Sequence, residues 1–150
     1  QLHYQPVELL AARESGLDDP SALQRAVVER KGAHYLNLRL QNRTTPNLLL
    51  SKTPNGYSYD ELQYYFTALI QDDLFLVIGR DTLPCAQAHF ERNYGTAPFN
   101  NITASFIDHA ADPYRDDIQF VFDDRAFGLG PVRFTITKDA LRDIPALKTS

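Results

Sequence analysis

The chain has 150 residues, of which 43% are hydrophobic and 23% charged, and its formal net charge is -4 at pH 7. This composition is that of one globular domain able to bury roughly 70% of its unfolded surface, and it excludes a disordered or fibrous protein. Because no basic stripe is available to neutralise phosphates, we expect no nucleic-acid partner. No apolar run approaches the ~18 residues of a membrane-spanning helix, so we expect no transmembrane segment.

The start of the chain predicts two helices. Pro6 stands where a first helix begins, and Asp19 with Pro20 forms a cap and first-turn pair before a second helix. We therefore divide the chain into an N-terminal helical segment, residues 1–32, and a β-sandwich domain, residues 33–150.

From residue 34 the hydrophobic period changes from helical to two, which is the period of strands. Leu36, Leu38 and Leu40 alternate with polar residues. The same signal recurs in five later runs, at residues 74–79, 83–91, 102–106, 118–122 and 132–136. Turn residues separate almost all of these runs. We predict an all-β, that is mainly-β, fold: an immunoglobulin-like antiparallel sandwich of about seven strands, with helical decoration near the N-terminus.

The segment 60–70 suits either a helix or a strand. Asp60 is a candidate N-cap, and a helix from this residue would place the apolar residues on one face: Leu62, Tyr65, Phe66, Leu69 and Ile70. The aromatic and β-branched content also suits a strand. We predict a helix, with a strand as the alternative.

The stretch DTLPCAQAHFERNYG, residues 81–95, contains the chain's one cysteine and a histidine. As one strand, it places Cys85, Gln87, His89 and Glu91 on one face. Cys85 and His89 are then roughly 13 Å apart, too far for a nucleophile and its base, so we predict a structural rather than a reactive cysteine. His89 and Glu91 could form half of a metal site or a hydrolase site, but two ligands are too few alone. We expect ordinary strand residues here.

The loop IDHAADPYRDD, residues 107–117, gathers several carboxylates. Calcium takes about six to eight oxygen ligands, and Asp108, Asp112, Asp116 and Asp117 are candidates to supply them. Their spacing does not match the EF-hand pattern, which needs a central glycine and a closing glutamate. We therefore expect an acidic loop between strands, with no metal and no other cofactor.

Four tyrosines, Tyr57, Tyr59, Tyr64 and Tyr65, lie close together in the sequence. Tyrosine combines a large apolar area with a polar tip, which suits protein contacts. We predict that these four residues bind a partner, either another protein or a second copy of the chain. If this cluster met the acidic loop on one surface, a carbohydrate- or calcium-binding module would be the better interpretation.

The motifs DTLPC, HFERNYG, APF, GLGPVRFTI and IPAL together resemble uncharacterised bacterial cell-envelope lipoproteins with a β-sandwich body, over residues 35–147. The resemblance implies a cell-envelope or extracellular location, and a lipid anchor on a cysteine directly before Gln1. It implies no catalytic residue. The chain also contains no methionine, even at position 1, which we interpret as the mark of a processed export product or an excised domain.

These observations together predict a non-enzymatic component of the cell envelope or of the secreted fraction. We expect it to act through protein-protein contacts as a subunit of a larger assembly. The first alternative is a carbohydrate- or calcium-binding module. The second is a hydrolase that uses His89 and Glu91.

Overall fold

The computed structural model describes residues 1–145; residues 146–150, which contain the end of the IPAL motif, lie outside the described part. The strands are β1 (Leu2–Gln5), β2 (Ala33–Leu40), β3 (Leu74–Ile78), β4 (Asp81–Pro84), β5 (Gln87–Glu91), β6 (Asn100–Ile107), β7 (Ile118–Asp124) and β8 (Gly130–Ile136). The α-helices are α1 (Val7–Ser15), α2 (Pro20–Arg30), α3 (Tyr59–Tyr64) and α4 (Lys138–Arg142). Shorter turns are 3-10 at Leu48–Leu50 and Ile70–Asp73, and π-helical at Tyr65–Leu69.

Within residues 1–145, the strands form two antiparallel sheets of four strands each, in the orders β1-β2-β6-β5 and β4-β3-β7-β8. The two sheets share one apolar core, in which Phe106 of β6 meets Phe120 of β7 edge to face, with ring centroids 6.1 Å apart. Each such fully buried side chain stabilises the fold by roughly 1.5–3 kcal/mol. The prediction of a mainly-β sandwich is confirmed at this level.

The alternation of apolar and polar residues explains why most of these segments form strands. In β2, β6 and β7 every second residue is buried, because successive side chains of a strand point to opposite faces of its sheet. In β8 the inward positions are only half-buried, since this strand lies at the edge of its sheet. The runs predicted at 34–40, 102–106, 118–122 and 132–136 are all strands.

The run predicted at 83–91 is not one strand, which corrects the sequence analysis. The backbone N–H of Cys85 donates to the carbonyl of Leu74 in β3, whereas that of Ala86 donates to the carbonyl of Ser105 in β6. The chain therefore passes from one sheet to the other between these two residues. As a result Cys85 points into the core, away from the exposed face that carries His89.

The N-terminal segment contributes a strand as well as the two predicted helices. The four-residue strand β1 pairs with β2, and it is too short to show a hydrophobic period in the sequence. Asp19 caps α2 as expected, because its side chain accepts hydrogen bonds from the backbone of Ser21 and Ala22. The helices pack on each other through the apolar side chains of Ala11, Leu23 and Ala26. In the described residues no helix is long and apolar enough to cross a membrane.

The segment 60–70 is helical, as predicted, but its cap is Ser58 rather than Asp60. The Ser58 hydroxyl accepts from the backbone N–H of Glu61 at 3.2 Å, and the Glu61 carboxylate accepts from that of Ser58 at 2.7 Å. This reciprocal capping box starts α3 two residues before the start that an N-cap at Asp60 would give. The predicted apolar face is buried, with Leu62, Phe66 and Ile70 in the core.

The two ends of the sandwich carry different helices and loops, and we name them the hairpin end and the tyrosine end. The hairpin end carries the α1–α2 pair, the acidic loop 107–117 and α4. The tyrosine end carries the β2–β3 connection, residues 41–73, and the β7–β8 loop, residues 125–129. Strand β7 runs from one end to the other, and its seven residues span roughly 20 Å. The tyrosine cluster and the acidic loop therefore do not meet on one surface.

Candidate functional site

Three of the four predicted contact tyrosines are exposed at the tyrosine end. Their exposed fractions are 37% for Tyr57, 40% for Tyr59 and 60% for Tyr64, whereas Tyr65 is only 8% exposed. The reason lies in the helical turn that follows the capping box, because the stripe that faces the core includes Tyr65 but not its neighbour Tyr64. Tyr65 thus occupies a buried position behind the exposed tyrosines.

Tyr65 belongs to a polar contact that joins the two loops of this end. Its hydroxyl donates to Oδ2 of Asp73 at 2.8 Å, and Nε of Arg125 donates to the same oxygen at 2.6 Å. Burial is the main cause that raises the pKa of Tyr65, so its hydroxyl stays a neutral donor. The hydrogen bond to Asp73 likewise raises the pKa of Arg125. Through these two hydrogen bonds Asp73 joins the β7–β8 loop to the helical turns that follow α3.

A groove of about 170 Å³ lies over this contact. Its lining residues are Tyr57, Glu61, Tyr64, Tyr65, Leu69, Arg125 and Ala126. The Arg125 side chain is half exposed, and within residues 1–145 only its Nε atom takes part in a hydrogen bond. The two terminal nitrogens of the guanidinium therefore present donors at the groove.

Two exposed leucines lie on the same two connections as the groove residues. Leu50 is 61% and Leu129 is 66% exposed. The loop that carries Leu129 lies against the β2–β3 connection, since a Cβ atom built on Gly128 would be 3.1 Å from Cγ of Pro54. The turn that carries Leu50 packs on α3. We call the exposed set the tyrosine surface: Leu50, Tyr57, Tyr59, Tyr64 and Leu129.

The hairpin end holds a buried chain of hydrogen bonds that the sequence analysis missed. The Tyr4 hydroxyl is 2.9 Å from Nδ1 of His34, and Nε2 of His34 is 2.8 Å from Oδ2 of Asp108. The same oxygen accepts from Arg115 at 2.8 Å, and Arg115 also donates to Asp81 at 2.8 Å. The sequence contained one sign of this contact: His34 is in phase with Leu36 and Leu38, which places its side chain on the inward face of β2.

The protonation states fix the direction of these bonds. Burial by itself raises the pKa of Asp108, but hydrogen bonds from Arg115 and His34 outweigh burial and hold that pKa below its ordinary value. Burial lowers the pKa of His34, although the hydrogen bond to Asp108 opposes the change. A neutral His34 beside an ionised Asp108 donates from Nε2, so its Nδ1 accepts the hydroxyl proton of Tyr4.

The other carboxylates of the acidic loop each bind a different backbone N–H. Asp112 accepts from Tyr114 at 3.0 Å. Asp116 accepts from Asp117 at 2.8 Å, and Asp117 accepts from Lys138 at 2.7 Å. In the part of the chain that the structure describes, no three His, Cys, Asp or Glu side chains are grouped to hold a metal. The loop carboxylates thus serve as turn caps and ion-pair partners rather than converging on one point.

His89 and Glu91 lie on the outer face of β5, where their neighbours are neutral. His89 is opposite Thr103 of β6, and Glu91 accepts from the side-chain amide of Asn101 at 3.3 Å. His89 lines a shallow groove of about 280 Å³ that does not include Glu91. The arrangement is therefore that of ordinary cross-strand neighbours, and among residues 1–145 no third His, Cys, Asp or Glu is grouped with this pair.

Comparisons with known proteins add no relative. No protein-family model matches the chain, and the searches of curated proteins and of solved structures likewise found no match. Any inference about function therefore depends on the surfaces and cavities of the chain itself.

Proposed function

We propose that this protein is a non-enzymatic binding component that contacts another protein through the tyrosine surface. One observation carries the proposal: the β2–β3 connection and the β7–β8 loop meet at one end, where tyrosines line a groove with Arg125 and exposed leucines lie on the same two connections. Soluble proteins seldom expose contiguous apolar area without a use for it. The partner is a protein that presents apolar side chains together with carbonyl or carboxylate acceptors.

The chemistry of the surface suits a protein partner. Tyrosine and arginine are enriched at the centres of protein interfaces, where they combine contact area with hydrogen-bond donors. The tyrosine hydroxyls and the terminal nitrogens of Arg125 supply such donors here. The buried contact between Tyr65 and Asp73 holds the groove floor in place, so less conformational freedom is lost on binding.

The strand order supports a finer assignment of the fold as immunoglobulin-like. The orders β1-β2-β6-β5 and β4-β3-β7-β8 correspond to strands A-B-E-D and C′-C-F-G of such sandwiches. In this correspondence the tyrosine surface lies on the B–C and F–G loops, which form the binding end of antibody variable domains. Fold alone does not establish function, so this correspondence counts as analogy.

The proposed location is the cell envelope or the extracellular space, and the proposed assembly is a complex of several subunits, with a lipid anchor before Gln1 as one means of attachment. The location and the anchor rest on the resemblance of the sequence motifs to envelope lipoproteins, and the assembly rests on the exposed tyrosine surface. The alternative of a carbohydrate- or calcium-binding module has less support, because the tyrosine cluster and the acidic loop lie at opposite ends. The hydrolase alternative has less support, because the directly facing residues of His89 and Glu91 on β6 are the neutral Thr103 and Asn101.

Site-specific photo-crosslinking tests the proposal. A photoreactive amino acid at position 64 in the full chain, expressed in its native host, should crosslink to one defined protein. The same amino acid at position 17 serves as the control, because Leu17 is exposed and apolar but lies on the α1–α2 turn. The double variant Tyr57→Ala/Tyr64→Ala should lose the complex while its melting temperature stays within a few degrees. Equal crosslinking at both positions, or a monomer without a partner, would contradict the proposal.

A further inference from the structure

The hairpin end contains a cavity of about 400 Å³ that plays no part in the proposed contact. It lies between three segments of the chain: the β1–α1 junction, the α2–β2 turn and the acidic loop. Its lining residues are Tyr4, Val7, Glu8, Val27, Lys31, Gly32, Ala33, Asp108, Ala110, Ala111, Pro113 and Tyr114. Most of this lining is apolar or aromatic, and the volume falls in the range of small-molecule sites.

Tyr4 and Asp108 contribute acceptors rather than donors to this wall, whereas Lys31 lies at its exposed rim. Because Asp108 is ionised and His34 donates to it, the Tyr4 hydroxyl proton is committed to Nδ1 of His34. The oxygen of Tyr4 then has only acceptor capacity left, which the neighbouring Tyr114 hydroxyl shares with the cavity. Burial raises the pKa of Tyr4 above its ordinary value, which keeps the hydroxyl neutral.

Glu8 supplies a negative charge at the same place. It is half-buried in the first turn of α1, and within residues 1–145 it forms no ion pair. Burial and then the contact with Tyr114 are the main causes that raise the pKa of Tyr4, and the charge of Glu8 adds to them. Burial also raises the pKa of Tyr114; the hydrogen bond with Tyr4 opposes this change and the charge of Glu8 reinforces it. The rings of these two tyrosines meet edge to face at 6.2 Å. The wall therefore combines a carboxylate, a hydroxyl acceptor and aromatic rings.

We propose that this cavity binds a primary ammonium group carried on a short apolar body. The carboxylate of Glu8 and the oxygen of Tyr4 would accept its N–H donors, and an aromatic ring nearby attracts a cation. Of the positive side chains at this end, Arg115 is committed to Asp108 and Asp81. Arg142, which lines a neighbouring groove with Glu8, is paired with Asp112, and Lys31 is an exposed residue at the rim. The alanine, valine and proline side chains cover the apolar body.

The test uses n-butylammonium as the probe and the whole chain as the receptor. Titration of the ¹⁵N-labelled protein at neutral pH should shift the amide resonances of Gly32, Ala33 and Ala110 in a saturable way. The neutral isostere n-butanol and the anion pentanoate should bind at least about tenfold more weakly, because neither supplies the cationic donors.

Two glutamate variants separate the site from general charge effects. Glu8→Gln should weaken n-butylammonium binding about tenfold or more, because among the described residues that line this cavity Glu8 carries the one carboxylate without an ion pair. Glu29→Gln changes the net charge equally but lies on the exposed face of α2, outside this cavity, and should leave the affinity unchanged. The proposal is overturned if n-butylammonium shifts no cavity resonance, if n-butanol binds as tightly, or if both variants behave alike.

Discussion

The Nε2 atom of His34 and the Oδ2 atom of Asp108 lie 2.8 Å apart, although the two residues are 74 positions apart in the chain. Both side chains are buried, and Arg115 adds a third member to the contact. The ion pair in this contact is Asp108 with Arg115, since His34 is neutral. A buried charge is expensive to desolvate, and it stabilises a fold only when its polar atoms are satisfied. This contact therefore joins β2 to the acidic loop as one unit.

We expect Asp108→Asn to lower the free energy of unfolding by about 2–3 kcal/mol, because His34 and Arg115 lose a buried charged acceptor and Arg115 keeps only its exposed partner Asp81. Asp112→Asn is the matched control in the same loop. Its ion pair with Arg142 is half exposed on both sides, so the loss should stay below about 1 kcal/mol. Urea unfolding of the two variants measures both values. Equal losses would show that the buried network does not stabilise the loop.

The same contact predicts a loss of stability in acid. Unfolded His34 takes up a proton near its ordinary pKa of 6.5, whereas folded His34 does so only at lower pH. The unfolded state then binds more protons, so stability falls as the pH drops below about 6.5. Asp108 adds a second decline below 3.8, since its pKa is also lowered in the fold.

Urea unfolding at a series of pH values measures this dependence. The slope contributed by His34 is at most about 1.4 kcal/mol per pH unit. His34→Gln should remove that slope while lowering the stability at neutral pH. An unchanged slope in the variant would assign the acid sensitivity to other groups.

Much of the sandwich was predictable because one face of each long strand is buried. The leucines of β2 and the phenylalanines of β7 are spaced by two for that reason. The turn between the runs 74–79 and 83–91 was also visible, since Gly79 has a φ of 60°, which glycine adopts freely. Where a strand is long, the spacing of apolar residues in the sequence matches the spacing of buried residues in the structure.

The sheet crossover and the two cavities were not predictable in the same way. The crossover at Cys85 and Ala86 depends on which strand each backbone N–H meets, and a hydrophobic period carries no such information. The contact of Tyr4, His34 and Asp108 joins three distant segments, so no local motif marks it. Tyr65 was grouped with the exposed tyrosines because all four residues are close in sequence, whereas the helical turn buries it.

The two adjacent tyrosines of the tyrosine end should differ in their effect on stability. Tyr65→Phe removes a buried hydroxyl that donates to Asp73, and we expect it to lower the free energy of unfolding by about 1–2 kcal/mol. Tyr64→Phe removes an exposed hydroxyl and should change stability by less than about 0.5 kcal/mol. Thermal or urea unfolding of both variants checks this order, and a reversed order would place Tyr65 at the surface.

Cys85 should resist alkylation in the native protein. Burial, despite opposing backbone hydrogen bonds, raises the pKa of its thiol from 9.0 to about 11, which lowers the thiolate population about hundredfold at neutral pH. The thiol also donates to the carbonyl of Gln87 at 3.2 Å, at the point where the chain changes sheets. Iodoacetamide at neutral pH should therefore modify the native protein at least about hundredfold more slowly than the urea-unfolded protein. Cys85→Ala should keep the fold and the crosslink at position 64, with a loss of about 1–2 kcal/mol in the free energy of unfolding. Rapid modification of the native thiol would contradict a structural role, because only an accessible thiolate reacts at that rate.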